Sequence, residues 1–138
     1  MLINIQSDQP VDKLINELID LEIQVGMVEF TNKEDIISIP KTYKKIGNFE
    51  LDILAIDSNT REIVMLDHDQ PNFVIGKVAK SISQFVDALK PIEKYFDASI
   101  EDENMYDDTK EMSKTTANSS SIAGDVNFLW FYNMIFGI

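Results

Sequence analysis

The hydrophobic positions of this chain follow two patterns. From Leu51 to Leu66 they are nearly continuous: Leu51, Ile53, Leu54 and Ile56 form one apolar run, and Ile63, Val64, Met65 and Leu66 form another. Short aliphatic runs of this kind predict strands covered on at least one face and pressed close on the other. Between them stands Asp57-Ser58-Asn59-Thr60-Arg61. Asp and Asn tolerate left-handed backbone and bond their own main chain, so the five residues predict a hairpin with a longer loop. Asp67-His68-Asp69-Gln70-Pro71-Asn72 ends the second strand, since proline cannot donate to a ladder, and Phe73-Val74-Ile75 predicts one more short strand before Gly76.

The second pattern is helical. Ile82, Phe85, Val86 and Leu89 recur at i, i+3, i+4 and i+7, with Gln84, Asp87 and Lys90 facing away and Ser81 placed to cap the first turn. Pro91 predicts a kink or a restart, beyond which Ile92, Tyr95 and Phe96 continue the apolar face. Near the start, Ser7, Asp8 and Pro10 signal a helix with a stripe of Val11, Leu14, Ile15, Leu18 and Ile19, ending near residues 22–26. Residues 2–5 alternate weakly, as a short edge strand or a disordered lead-in. Met27-Val28-Glu29-Phe30 predicts a short strand, and Ile36, Ile37 and Ile39 an extended segment before Pro40.

After Phe96 the character changes. Residues 97–114 hold seven carboxylates (Asp97, Glu101, Asp102, Glu103, Asp107, Asp108, Glu111) against two lysines, followed by the small, polar run Thr115-Thr116-Ala117-Asn118-Ser119-Ser120-Ser121. This predicts an acidic and Ser-rich excursion over about 97–124, a flexible loop with room for one short helix around Met105 to Met112. A functional loop and a plain linker are equally compatible with it. The last stretch, 125–138, is apolar and aromatic but too short for a membrane span, which takes about 20 residues. It reads as a terminal element packed into the core, with an association surface or a membrane tether as alternatives.

At 138 residues these elements fit one domain. The chain has no cysteine, so disulfides and thiolate chemistry are excluded. A net charge of −12 repels phosphate backbones and anionic membrane surfaces and attracts a basic protein, although acidity also serves solubility alone. Lys41-Thr42-Tyr43-Lys44-Lys45 is the one basic cluster. No basic stretch followed by a long apolar run opens the sequence, so the cytoplasm is the expected compartment. His68 is the only histidine, and any triad would need it. In an extended segment Asp67 and Asp69 share a face while His68 points away, which makes a three-ligand metal site from these three geometrically poor. With no phosphate-binding glycine pattern and no zinc motif, neither cofactor nor metal nor enzymatic activity is expected.

The central segment resembles the SUKH superfamily, which unites fungal regulators of cell-wall glucan synthesis with bacterial toxin-immunity proteins. The matching residues are Ile46-Gly47, Leu51-Asp52-Ile53-Leu54-Ala55-Ile56-Asp57, Glu62-Ile63-Val64-Met65-Leu66-Asp67-His68-Asp69, and Val78-Ala79-Lys80-Ser81-Ile82-Ser83-Gln84-Phe85-Val86-Asp87-Ala88-Leu89. Lys80 stands where a related branch often has Asn, and where family members commonly carry an aromatic- and Pro-rich N-terminal helix and a Gly-containing turn this region is short and has no Trp. The resemblance implies an α+β domain with a mixed or mainly antiparallel sheet and helices on one side. It also implies a non-enzymatic role, binding and neutralising a cognate polymorphic toxin of nuclease or deaminase type, or else serving as a regulatory scaffold of the cell-wall regulator kind. Toxin contact is expected at Asp67, Asp69, Glu101, Asp102, Glu103, Asp107 and Asp108.

Overall fold

A computed structural model describes residues 2–105 and 107–138. Six strands, β1 (Gln24–Val25), β2 (Val28–Phe30), β3 (Tyr43–Phe49), β4 (Asp52–Asp57), β5 (Ile63–Leu66) and β6 (Val74–Ala79), form one antiparallel sheet in sequence order. Four helices accompany it: α1 (Val11–Asp20), α2 (Ile82–Glu101), α3 (Thr109–Ala123) and α4 (Leu129–Phe136). The fold is α+β.

The predicted hairpin is the centre of the sheet. Its register sets Ile53 opposite Leu66 and Ile56 opposite Ile63. Asp57 Oδ1 accepts the amide of Asn59 at 2.8 Å, and Arg61 takes the left-handed backbone at φ +68° that closes the turn. Both faces of this pair are buried. Leu54, Ile56, Ile63 and Met65 join the main core with residues of α1, α2, α3 and α4, while Ile53, Ala55, Val64 and Leu66 form a second cluster under Ile39 and Tyr43. The helices therefore lie on one side of the sheet.

α2 begins as expected, with Ser81 Oγ accepting the amide of Gln84 at 3.1 Å. It then runs unbroken through Pro91, so no restart occurs there. Leu89, Ile92 and Tyr95 are buried on both sides of the proline, and tertiary burial of this face outweighs the one missing backbone bond.

Several other expectations are corrected. Residues 2–4 form a 3-10 turn, neither strand nor disordered lead-in, because Leu2 and Ile5 both reach the core. α1 ends at Asp20, earlier than its pattern predicts, and no side chain caps it; Ser7 donates instead to Asp87 at 2.8 Å. Ile36 and Ile37 lie in an exposed loop. β3 was not foreseen: its start is the Lys-rich cluster, and a bulge between Lys45 and Gly47 breaks any alternation. A side chain at Gly47 would run into the Glu29 carbonyl, so close pairing with β2 requires glycine there. β6 continues past Gly76 to Ala79, with the Trp130 indole 2.5 Å from where a Cβ on Gly76 would sit.

The largest correction concerns residues 97–124. This stretch is not a flexible loop: α2 extends to Glu101, a 3-10 turn follows, and α3 occupies Thr109–Ala123. Ser, Thr and Asn are poor helix formers, so packing and caps must sustain α3. Met112, Thr116, Ser119, Ser120 and Ala123 line its buried face, and small residues let the helix lie close against α2. Thr116 Oγ1 donates to Asn133 Oδ1 of α4 at 2.6 Å. Asp108 caps one end and left-handed Gly124 the other. The terminal apolar run packs inward as expected. Phe131, Tyr132 and Ile135 are buried, and the Tyr132 hydroxyl donates to the Val78 carbonyl at 2.9 Å. Burial in this site drives the Tyr132 pKa far upward.

Candidate functional site

Two acidic groups stand out, and both begin from simple chain geometry. One step beyond the pair Ile53–Leu66, the same antiparallel register sets Asp52 opposite Asp67 at the end of β4 and β5. Like charges placed so repel. His68 lies beside them: its Nδ1 sits 2.7 Å from Asp52 Oδ1, and its amide donates to the same oxygen at 3.2 Å. On the far side of the ring, Nε2 is 3.5 Å from Asp69 Oδ2. The segment is a turn, since Asp67 Oδ1 accepts the amides of Asp69 at 2.8 Å and Gln70 at 3.3 Å. The turn is the strand-end stop that 67–72 predicts, and it brings His68 beside Asp69, where an extended segment would have pointed it away. The loop is closed by the Asp67 amide donating to the Phe73 carbonyl at 3.1 Å. The Asp52 hydrogen bond, then the charges of Asp69, Asp52 and Asp67, hold the His68 pKa above its ordinary 6.5 against the opposing effect of partial burial.

The second group is the knuckle between α2 and α3. Glu101, Asp102, Glu103 and Asp107 are exposed on it, and Asp108 is half-buried. Asp102 Oδ1 accepts the Asn104 amide and Asp108 Oδ1 the Glu111 amide, each at 3.1 Å. From beneath, the Tyr95 hydroxyl donates to the Met105 carbonyl at 2.6 Å. Burial, then the charges of Asp108, Glu111 and Asp102, raise the Tyr95 pKa. The last turn of α2 contains no basic residue, so Glu101 sits at the negative end of the helix dipole, where a carboxylate is disfavoured. Beside the knuckle, α2 and α3 leave an open groove of about 720 Å³ with Ile3, Pro91, Ala98, Met105 and Ile122 on its apolar side and Lys90 and Lys94 also on its wall.

Both groups occupy the same end of the sheet. The Glu50 amide bonds the Met27 carbonyl, which places turns 26–27 and 50–51 together, and Phe96 of α2 lies 3.3 Å from where a Cβ on Gly26 would be. No lysine or arginine occurs in 24–29, 49–54 or 66–73, which hold Glu29, Glu50, Asp52, Asp67 and Asp69. Lys33, Lys41, Arg61 and Lys80 belong to the connections at the opposite end. That opposite end is mixed, since it also holds Glu34, Asp35, Asp57 and Glu62, whereas the segments at the first end carry carboxylates without lysine or arginine.

Of the expected contact residues, Asp67 and Asp69 lie in the strand-end turn, whereas Glu101, Asp102, Glu103, Asp107 and Asp108 lie on the knuckle. Asp52 was missed as a site residue. No family model matches the chain, and no curated protein or solved structure matches it either. Among the described residues no helix is long and apolar enough to cross a membrane.

Proposed function

We propose that this chain is a non-catalytic protein-binding domain acting as an immunity protein. In this reading it captures a cognate polymorphic toxin of nuclease or deaminase type, one to one, in the cytoplasm. The observation that carries the reading is a local concentration of carboxylates, with the knuckle segment 101–108 and the sheet-end segments 24–29, 49–54 and 66–73 each holding acidic residues and no lysine or arginine. A toxin that acts on nucleic acid must present a basic surface to phosphates, and an acidic face steers such a surface in and blocks it. The groove beside Met105 supplies the apolar contact that a charged rim alone lacks. Keeping Glu101 at the C-terminus of α2 costs helix stability, a cost explained when the carboxylate serves a partner.

Co-expression with the toxin encoded beside it is the direct test. Cells carrying both genes should grow while cells carrying the toxin alone die. Equal killing in both cultures removes the proposal.

A further inference from the structure

We propose that Asp52, Asp67 and His68 form a binding site for one divalent transition-metal ion, with zinc the best chemical fit. One ligating atom from each of the three lies within 4.8 Å of the other two. Three protein ligands with a fourth position left to water is a common open zinc arrangement, with metal–ligand distances of about 2.0–2.2 Å. Asp67 and His68 are each partly exposed, so their side chains have room for the small inward rotation that closes the set.

The scaffold suits this role. Asp52 and Asp67 begin and follow the two central strands, whose side chains are buried on both faces, so the Cα positions are fixed. The turn carrying His68 is pinned at its ends by the Asp67–Phe73 backbone bond and by the buried Pro71.

Electrostatics separates this cluster from the five carboxylates that pair with lysine. Asp12, Asp35, Glu62, Asp87 and Glu111 each face a lysine at 2.9–3.2 Å. Asp52 faces an imidazole instead, with Asp67 opposite it and no lysine or arginine anywhere in 49–54 or 66–73. Two carboxylates and one imidazole converge with no lysine or arginine in the segments that carry them. A mixed imidazole and carboxylate set favours zinc over magnesium or calcium, which take oxygen ligands. The knuckle carboxylates have no imidazole among them and carry no such inference. This site stands independently of the immunity reading, and its test involves no toxin.

The probe is zinc chloride added to the chelator-treated full chain, followed by calorimetry and by the imidazole NMR signals of the sole histidine. The expected result is one ion per chain, with the His68 signals moving to completion at that ratio, and a much weaker response to magnesium chloride. Asp52→Asn and Asp67→Asn should each weaken zinc binding at least about tenfold. Glu103→Gln on the knuckle should leave it unchanged. Circular dichroism confirms that each variant is folded before titration. His68 signals unmoved by excess zinc, or an Asp52→Asn variant that binds as tightly as the parent, overturns the proposal. So does an equal loss in Glu103→Gln, which would mean diffuse surface binding.

Discussion

The strand-end turn gathers three carboxylates around one imidazole, whereas the α2–α3 knuckle spreads five with no imidazole among them. In the turn Asp52 and Asp69 flank a single imidazole, with Asp52 Oδ1 receiving both the ring and the amide of His68, while Asp67 Oδ1 accepts the amides that shape the loop. On the knuckle Asp102 and Asp108 use their oxygens to cap backbone, and Glu101, Glu103 and Asp107 face solvent. The first arrangement concentrates negative potential at a point. The second spreads it over a surface. A point suits a small cation; a surface suits a protein. Identical side chains acquire different uses according to whether a strand register or a helix end positions them.

The strongest way to break this comparison is charge reversal on the knuckle. Replacing Glu101, Glu103 and Asp107 together by lysine should slow association with a basic partner by about a hundredfold at low salt, read by stopped-flow or surface plasmon resonance. The same variant should keep the parental zinc response. Next in size is the cap: Asp108→Ala leaves the Glu111 amide in the first turn of α3 without its side-chain acceptor and should cost about 1 kcal/mol in urea unfolding.

A smaller effect has the opposite sign. Glu101→Lys alone should raise stability by about 0.5 kcal/mol, because a cation suits the C-terminal end of a helix, while it weakens partner binding. Stability and binding moving together would contradict the role given to this residue. The smallest effect belongs to the turn and depends on pH. His68 has a folded-state pKa raised by Asp52, so the stability it contributes is fully present below about 6.5 and fades as pH rises through the folded-state value. In chelator-treated protein the His68 titration midpoint should lie above 6.5 and move back toward it in Asp52→Asn, followed by NMR.

Much of this architecture could be read from residue order because burial and periodicity agreed there. Ile53–Ile56 and Ile63–Leu66 are unbroken apolar runs split by a polar turn, and Ile82–Leu89 keeps helical spacing behind a serine cap. α3 was illegible for the converse reason: apart from Met112 its contact face is Thr116, Ser119, Ser120 and Ala123, residues whose value is small volume, and small polar residues look like loop in a linear string. β3 hid behind a bulge and two lysines, one of which, Lys45, spends its charge on Asp35 at 2.9 Å. Asp67 and Asp69 were found, but Asp52 was not, although the hairpin already implied it. In an antiparallel pair the partner numbers share one sum, so the pairing of Ile56 with Ile63 also sets Asp52 opposite Asp67.

The indole of Trp130 against Gly76 has a practical use. It is the chain's sole tryptophan, mounted on the last helix and laid over the backbone of the outermost strand. Its fluorescence therefore monitors one seam, the attachment of the C-terminal helix to the sheet. An emission change that precedes the loss of far-ultraviolet ellipticity during denaturation would time the peeling of that helix apart from the melting of the strands beneath it.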